Sequence, residues 1–200
     1  MEKKIMVKGV FSIVVTVILV IMSSPLSFAQ EREPGVSVGF NAGATWCLDG
    51  YLSTGLAGRA FVEYAPYIHE IGLKFTGGYW RFEDTVSAGE GTLKTDVDVL
   101  FTNWYFTGGG VYRLSRKNIT PFLTANLGAY KYEDEQVNIS TAGYPVSDVR
   151  DGWALGVNGG GGIEFFSKDT YSIGIESLAH FVFGDESYQL IDISIMFRFL

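Results

Sequence analysis

From Leu190 to Leu200 the chain alternates. Ile191, Ile193, Ile195, Phe197 and Phe199 take the odd positions, with Asp192, Ser194, Met196 and Arg198 between them. Successive side chains of a β-strand point to opposite faces, so this segment predicts a strand with one apolar and one polar side. Seven earlier segments read the same way. Val36–Trp46 sets Val36, Val38, Phe40, Ala42, Ala44 and Trp46 against Ser37, Gly39, Asn41, Gly43 and Thr45. About 56–65, Leu56, Ala60, Val62 and Tyr64 oppose Arg59, Phe61 and Glu63; about 70–82, Ile71, Leu73, Phe75 and Tyr79 oppose Lys74, Thr76, Gly78 and Trp80. The segment 96–112 breaks phase: Val97, Val99 and Phe101 fall on one face, Trp104, Phe106 and Tyr112 on the other, which predicts a bulge near Thr102-Asn103. Segments 119–131, Trp153–Phe165 and 171–183 alternate again.

The connections complete the pattern. Those after the second, fourth and sixth segments are tight: 66–69, 114–118 and 167–170. Those after the odd-numbered segments, 47–55, 83–95, 132–151 and 184–188, are rich in Asp, Glu, Gly, Ser and Thr and are mostly longer, so they are read as outside loops. Eight strands with short turns at one end and longer loops at the other predict an all-β, eight-stranded, antiparallel up-and-down transmembrane β-barrel. After residue 30 no helical apolar period is present, and 25 Gly with 15% aromatics suit strands.

The first 29 residues are read apart from the barrel domain, 30–200. Lys3, Lys4 and Lys8, an apolar run from Gly9 to Met22, and Ser27-Phe28-Ala29 before Gln30 form a cleaved secretory signal peptide. The run is shorter than the ~20 residues of a spanning helix, which disfavours a membrane anchor. No Cys follows the cleavage point, so a lipoprotein is not supported. Losing three Lys and one Glu takes the formal charge from −7 to −9. No basic patch for nucleic acid is present. Cys47 is the sole cysteine and cannot form an internal disulfide.

An exported eight-stranded barrel could also be a soluble carrier with its apolar face inside. The polar face decides. It is mostly Gly, Ser, Thr and Asn with a few charges, whereas a water-facing wall should be densely charged. Small residues suit a narrow, crowded lumen. The expected ionic network within that lumen is Arg59, Glu63, Lys74, Glu164, Glu176, Asp192 and Arg198. Neighbouring strands predict a Glu63–Lys74 pair and a Glu176–Arg198 approach, with Glu164 near one of the cations. Trp46, Tyr64, Tyr79, Trp153, Tyr171 and Phe199, near strand ends on the apolar face, are the expected aromatic girdles.

Gly35–Phe40, Thr120–Tyr130 and Ile195–Phe199, behind a signal peptide, make the chain resemble the small outer-membrane β-barrel family. That family includes the outer-membrane protein A transmembrane domain, outer-membrane protein X and opacity-type proteins. The resemblance spans 30–200 and implies an outer-membrane location, outer-membrane lipid and lipopolysaccharide as surroundings, and a C-terminal strand read by the barrel-assembly machinery. Such chains end on an aromatic residue; here the aromatic is penultimate, Phe199 before Leu200.

Some barrels of this kind modify lipid A with a Ser, a His and an acid. Ser177, His180 and Glu176 are the candidates, but Ser177 and His180 are three apart and point to opposite faces. Ser187, beside Asp185 and Glu186, lacks a histidine, because His69 belongs to the opposite end. Glu133-Asp134-Glu135 with Asp148 and Asp151 lack the spacing of a calcium loop. Gly159–Gly162 is not a phosphate loop, since no helix follows; close packing or wall curvature accounts for it. Two glycosylation-like triplets, at Asn118 and Asn138, are read as chance. The expectation is a monomeric, non-enzymatic barrel without a cofactor, acting in envelope structure or surface contact through its outside loops. A narrow or hydrophobic-solute channel is the alternative, lined by Phe61, Trp80, Phe122, Leu178 and Val182; lipid A modification is a remote third.

Overall fold

A computed structural model describes residues 35–48, 54–66, 70–88, 95–114, 119–139, 145–168, 170–184 and 187–199. The expected signal peptide, His69 and Asn118 lie outside the described residues. Eight strands follow in order: β1 Gly35–Cys47, β2 Thr54–Ala65, β3 Ile71–Ala88, β4 Thr95–Arg113, β5 Ile119–Ile139, β6 Pro145–Lys168, β7 Tyr171–Phe183 and β8 Tyr188–Phe199. Each pairs antiparallel with its sequence neighbour, and β1 closes on β8 from Val38↔Phe199 to Cys47↔Leu190.

The apolar face points out. Leu56, Leu127 and Leu155 are each at least 70% exposed, while Trp80 and Tyr130 on the inner face are 0% exposed. Ile193, Ile195, Phe197 and Phe199 of β8 belong to the same outer wall, and Asp192, Ser194 and Arg198 turn inward. Magnitude excludes water as the solvent for this wall. Keeping a large apolar side chain exposed forfeits about 1.5–3 kcal/mol, so ten of them would match or exceed the ~5–15 kcal/mol that holds a domain together. Hydrocarbon removes that cost, and closure leaves no unpaired edge within the wall.

Two expectations are corrected. No bulge interrupts β4: its register with β3 runs unbroken from Thr95 to Tyr112, and with β5 from Asp98 to Arg113. Phe101 stays on the inner side, against Phe82 and Tyr188. The phase change marks where the inner face turns from polar to aromatic, so a slipped register is not required. Second, much of the expected outside loops 83–95 and 132–151 is strand. The β3–β4 ladder continues to Ala88↔Thr95 and the β5–β6 ladder to Ile139↔Pro145. Above the bilayer neither face needs to be apolar, so the alternation that reveals a strand disappears while the ladder continues.

The glycine run in β6 is a packing feature. A Cβ at Gly160 would lie 2.0 Å from the Ser177 carbonyl oxygen, and one at Gly162 2.1 Å from that of Ile175. The wall bends too tightly there for any side chain on the inner face.

Candidate functional site

The inner face is layered along the barrel axis. Near the short turns, Glu63 (β2), Arg113 (the last residue of β4), Glu164 (β6) and Arg198 (β8) converge. Arg113 grips Glu63 with both terminal nitrogens, Nη1 to Oε1 and Nη2 to Oε2, the latter at 2.9 Å. Its Nε reaches Glu164 at 3.3 Å. Arg198 Nε lies 2.8 Å from the other Glu164 oxygen and its Nη1 3.7 Å from Glu63. Ser172 donates to Glu164 at 3.1 Å. Next comes an apolar layer of Phe61, Val111, Phe122 and Met196.

A second ionic layer lies mid-barrel. Arg59 donates to Asp192 at 2.7 Å and to Glu176 at 3.0 Å. Lys74 donates to both oxygens of Glu176, at 2.9 and 3.2 Å, and sits over the Phe61 ring. Asn41 adds a bond to Glu176 at 2.8 Å, and Ser194 accepts from Arg59 at 2.7 Å. Each ionic layer holds two cations and two carboxylates, so each is neutral. An ion buried alone costs several kcal/mol, and only such pairing makes carboxylates with no exposed surface tolerable. Glu164, Glu176 and Asp192 are all 0% exposed.

Hydrogen bonds then lead outward. Asn126 donates to Asn158 at 2.7 Å, and Asn158 to Tyr130 at 3.1 Å. The Tyr130 hydroxyl meets His180 Nδ1 at 3.2 Å, and His180 Nε2 meets Asp192 at 3.0 Å. An ionised carboxylate only accepts, so Nε2 carries the proton and Nδ1 accepts from Tyr130. Above this chain Trp80, Tyr105 and Tyr130 stack with ring centroids 4.6–5.8 Å apart, and His180 meets Trp80 edge-on at 4.5 Å. Phe82, Ala154, Val182 and Leu190 complete the plug. Gly78 makes room for it: a Cβ there would lie 2.2 Å from the Tyr105 ring.

All seven charges picked from the sequence lie on the inner face and are buried. Two of the expected pairings are replaced. Lys74 stands opposite Glu63 in register, yet its ammonium goes to Glu176, and Glu63 is taken by Arg113. Arg198 goes to Glu164 and Glu63, and Glu176 to Arg59 and Lys74. In so narrow a lumen a long side chain reaches the far wall as easily as its neighbour. Arg113 was missed because it ends a strand beside a turn. The signal was available: the seven predicted charges comprise three cations and four anions, and a buried cluster should balance.

The six expected girdle aromatics all sit on the outer wall. Tyr64, Tyr171 and Phe199 lie toward the short turns, with Tyr171 opposite Phe199 in register. Trp46, Tyr79 and Trp153 lie toward the long hairpins; Trp104, which the sequence reading left out of the girdle, packs against Tyr79 with ring centroids 4.6 Å apart and planes tilted by 47°.

The enzyme candidates separate. His180 is sealed inside with both ring nitrogens engaged, while Ser177 belongs to the outer face of β7. Ser187 donates to the Gly184 carbonyl at 3.4 Å. Phe61, Trp80, Phe122, Leu178 and Val182, the possible channel lining, are packed to 3% exposure or less. Among the described residues no cluster of His, Cys, Asp or Glu is arranged to hold a metal. Cys47 is a free thiol packed against the plug.

Outside the wall the strands divide by length. β1, β2, β7 and β8 have 13, 12, 13 and 12 residues. β3, β4, β5 and β6 have 18, 19, 21 and 24. Twelve residues rise about 40 Å along a strand, and a tilt of about 40° converts that to the ~30 Å of a hydrocarbon core. The four central strands therefore overshoot the bilayer as a four-stranded sheet.

Lengths, facing and closure together match solved barrels. The attachment invasion locus protein Ail of Yersinia pestis aligns over 85% of this chain and 100% of its own, at 18% identity and a TM-score of 0.50. A major outer membrane protein from Thermus thermophilus aligns over 82% of this chain and 100% of its own, at 10% identity and a TM-score of 0.58. The fold is that of the small outer-membrane β-barrels. No protein-family model matches the sequence, and no curated protein matches it. This small outer-membrane barrel thus combines a tightly packed lumen with a sheet that overshoots the bilayer.

Proposed function

We propose that this barrel is a surface-contact protein of the outer membrane, working through the sheet that β3–β6 raise beyond the bilayer. The observation that carries the reading is the length difference: a barrel with only an envelope-filling role has no use for strands of up to 24 residues. The packed lumen supports it, since eight strands leave an interior about filled by side chains, and here Trp80, Tyr105 and Tyr130 occupy it. Ail, which shares the fold, is named for attachment. The chemistry supports a non-enzymatic role, because Ser177 and His180 stand on opposite sides of the wall. The barrel acts as a monomer in lipid and lipopolysaccharide, delivered by the assembly machinery through β8.

The test is attachment by cells displaying either the whole barrel or a form whose β3–β4 and β5–β6 hairpins are cut to short turns at the membrane. Loss of attachment to surfaces and neighbouring cells in the cut form is expected. Equal attachment by both forms would refute the reading.

A further inference from the structure

The plug carries more chemistry than filling a lumen needs. Trp80, Tyr105 and Tyr130 are rings that can give up a single electron, and they stack on one another with centroids 4.6–5.8 Å apart. Tyr132 and Tyr188, half-buried, pack against the same cluster from the side of the long hairpins. Together the rings form a path from the mouth to the middle of the barrel.

The three inner rings differ in where a proton can go. A ring that loses an electron becomes a strong acid, and in a dry interior the cation is costly unless its proton leaves as well. The Trp80 indole nitrogen has no acceptor among the described residues. Tyr105 lies beside the Arg59 guanidinium, which only donates. Tyr130 is the one of the three hydrogen-bonded to a base: its hydroxyl donates to His180 Nδ1 at 3.2 Å. Across that imidazole, Nε2 donates to Asp192 at 3.0 Å, so a second proton makes an imidazolium already paired with a carboxylate. Asn158 donates to the same phenol oxygen at 3.1 Å and remains when the phenol proton has gone.

We propose that Tyr130 is a reversible one-electron redox site, fed through the aromatic plug by radical oxidants at the cell surface, with His180 as its proton acceptor. The oxidant takes one electron from the rings at the mouth and is reduced. The vacancy passes through Trp80 and Tyr105 to Tyr130. There the Oη–H bond breaks and an Nδ1–H bond forms. A neutral phenoxyl radical is left, held by Asn158 and His180, and the positive charge sits beside Asp192. An electron from a one-electron reductant sends the proton back to Tyr130. No proton crosses the wall in either direction, so the site is reset and not consumed. This activity is separate from surface contact and does not depend on it.

The experiment uses the full barrel in phosphatidylcholine nanodiscs, oxidised by azidyl radicals and then frozen. Electron paramagnetic resonance should show a long-lived tyrosyl signal. Labelling histidine with nitrogen-15 should change its nuclear couplings, the mark of an imidazole bonded to the radical oxygen. That coupling is read in the parent, so it does not hang on how a variant folds. Among variants that keep the folded band on a detergent gel, Tyr130→Phe should lose the long-lived signal. His180→Gln should lose it too, since an amide can accept the hydrogen bond but is no base. Tyr64→Phe, on the outer wall, should leave it unchanged. A tyrosyl signal without histidine coupling, a signal that survives Tyr130→Phe, a signal indifferent to His180→Gln, or a radical as short-lived as in the urea-unfolded chain would each overturn the inference.

Discussion

The two halves of the barrel solve different problems with the same ladder. β7, β8, β1 and β2 are cut to the bilayer and carry most of the mid-barrel charge: Glu176, Asp192 and Arg59, with Asn41 and Ser194 beside them. β3–β6 are taller and supply the large rings, Trp80, Tyr105 and Tyr130, which pack against those charges and close the lumen. The short half thus depends on the tall half to keep water off its ions, and the tall half depends on the short half for a closed base. Only the part above the membrane is released from this exchange.

The largest break in that dependence should come from Glu176→Ala. It leaves Arg59 and Lys74 facing each other without their shared carboxylate, and should cost about 3–5 kcal/mol in urea unfolding from lipid vesicles. A cost below about 1 kcal/mol would mean the mid-barrel layer is wet. Trp80→Ala tests the other half: it should cost about 3–5 kcal/mol by cavity formation, and planar-bilayer current should stay at background for the parent barrel. A stable current through the parent would revive the channel reading. Tyr130→Phe removes one hydroxyl from the chain that joins the halves, stranding Asn158 and His180; about 1–3 kcal/mol is expected, read from the temperature at which the folded band converts on a detergent gel. The smallest effect should be trimming both tall hairpins at the membrane. If the cut falls beyond Phe82, Phe101, Tyr132 and Ala154, which belong to the aromatic plug or pack on it, stability should change by less than about 1 kcal/mol, since the residues removed then lie outside both the ionic layers and the plug. A collapse of the barrel would show that the overshooting sheet is structural.

How much of this could be read beforehand follows the solvent. Inside the bilayer the lipid demands one apolar face, so Ile191, Ile193, Ile195 and Phe197 declare their orientation in the sequence, and β7 was placed to the residue. Above the bilayer water accepts both faces, so Glu133–Gln136 and Asp148–Asp151 look like loop although they pair residue for residue. Pairings inside the lumen were hidden for another reason. Register fixes Cα neighbours, but the charged ends of Lys74, Arg113 and Arg198 travel several ångströms from their backbones, and the lowest-energy partner lies wherever an unpaired carboxylate remains. Arg113 could have been found by demanding electroneutrality; the swap of Lys74 from Glu63 to Glu176 could not.

The seam between β1 and β8 joins the two ends of the domain. Val38 meets Phe199 across some 160 positions of chain, so the ring cannot close until its last strand has been made. Contacts that distant in sequence form slowly. Before closure a newly exported chain carries eight greasy strands and two open flanks through an aqueous compartment. Until that last strand docks, both flanks stay open to any other strand able to pair with them, so mispairing is the hazard this topology carries.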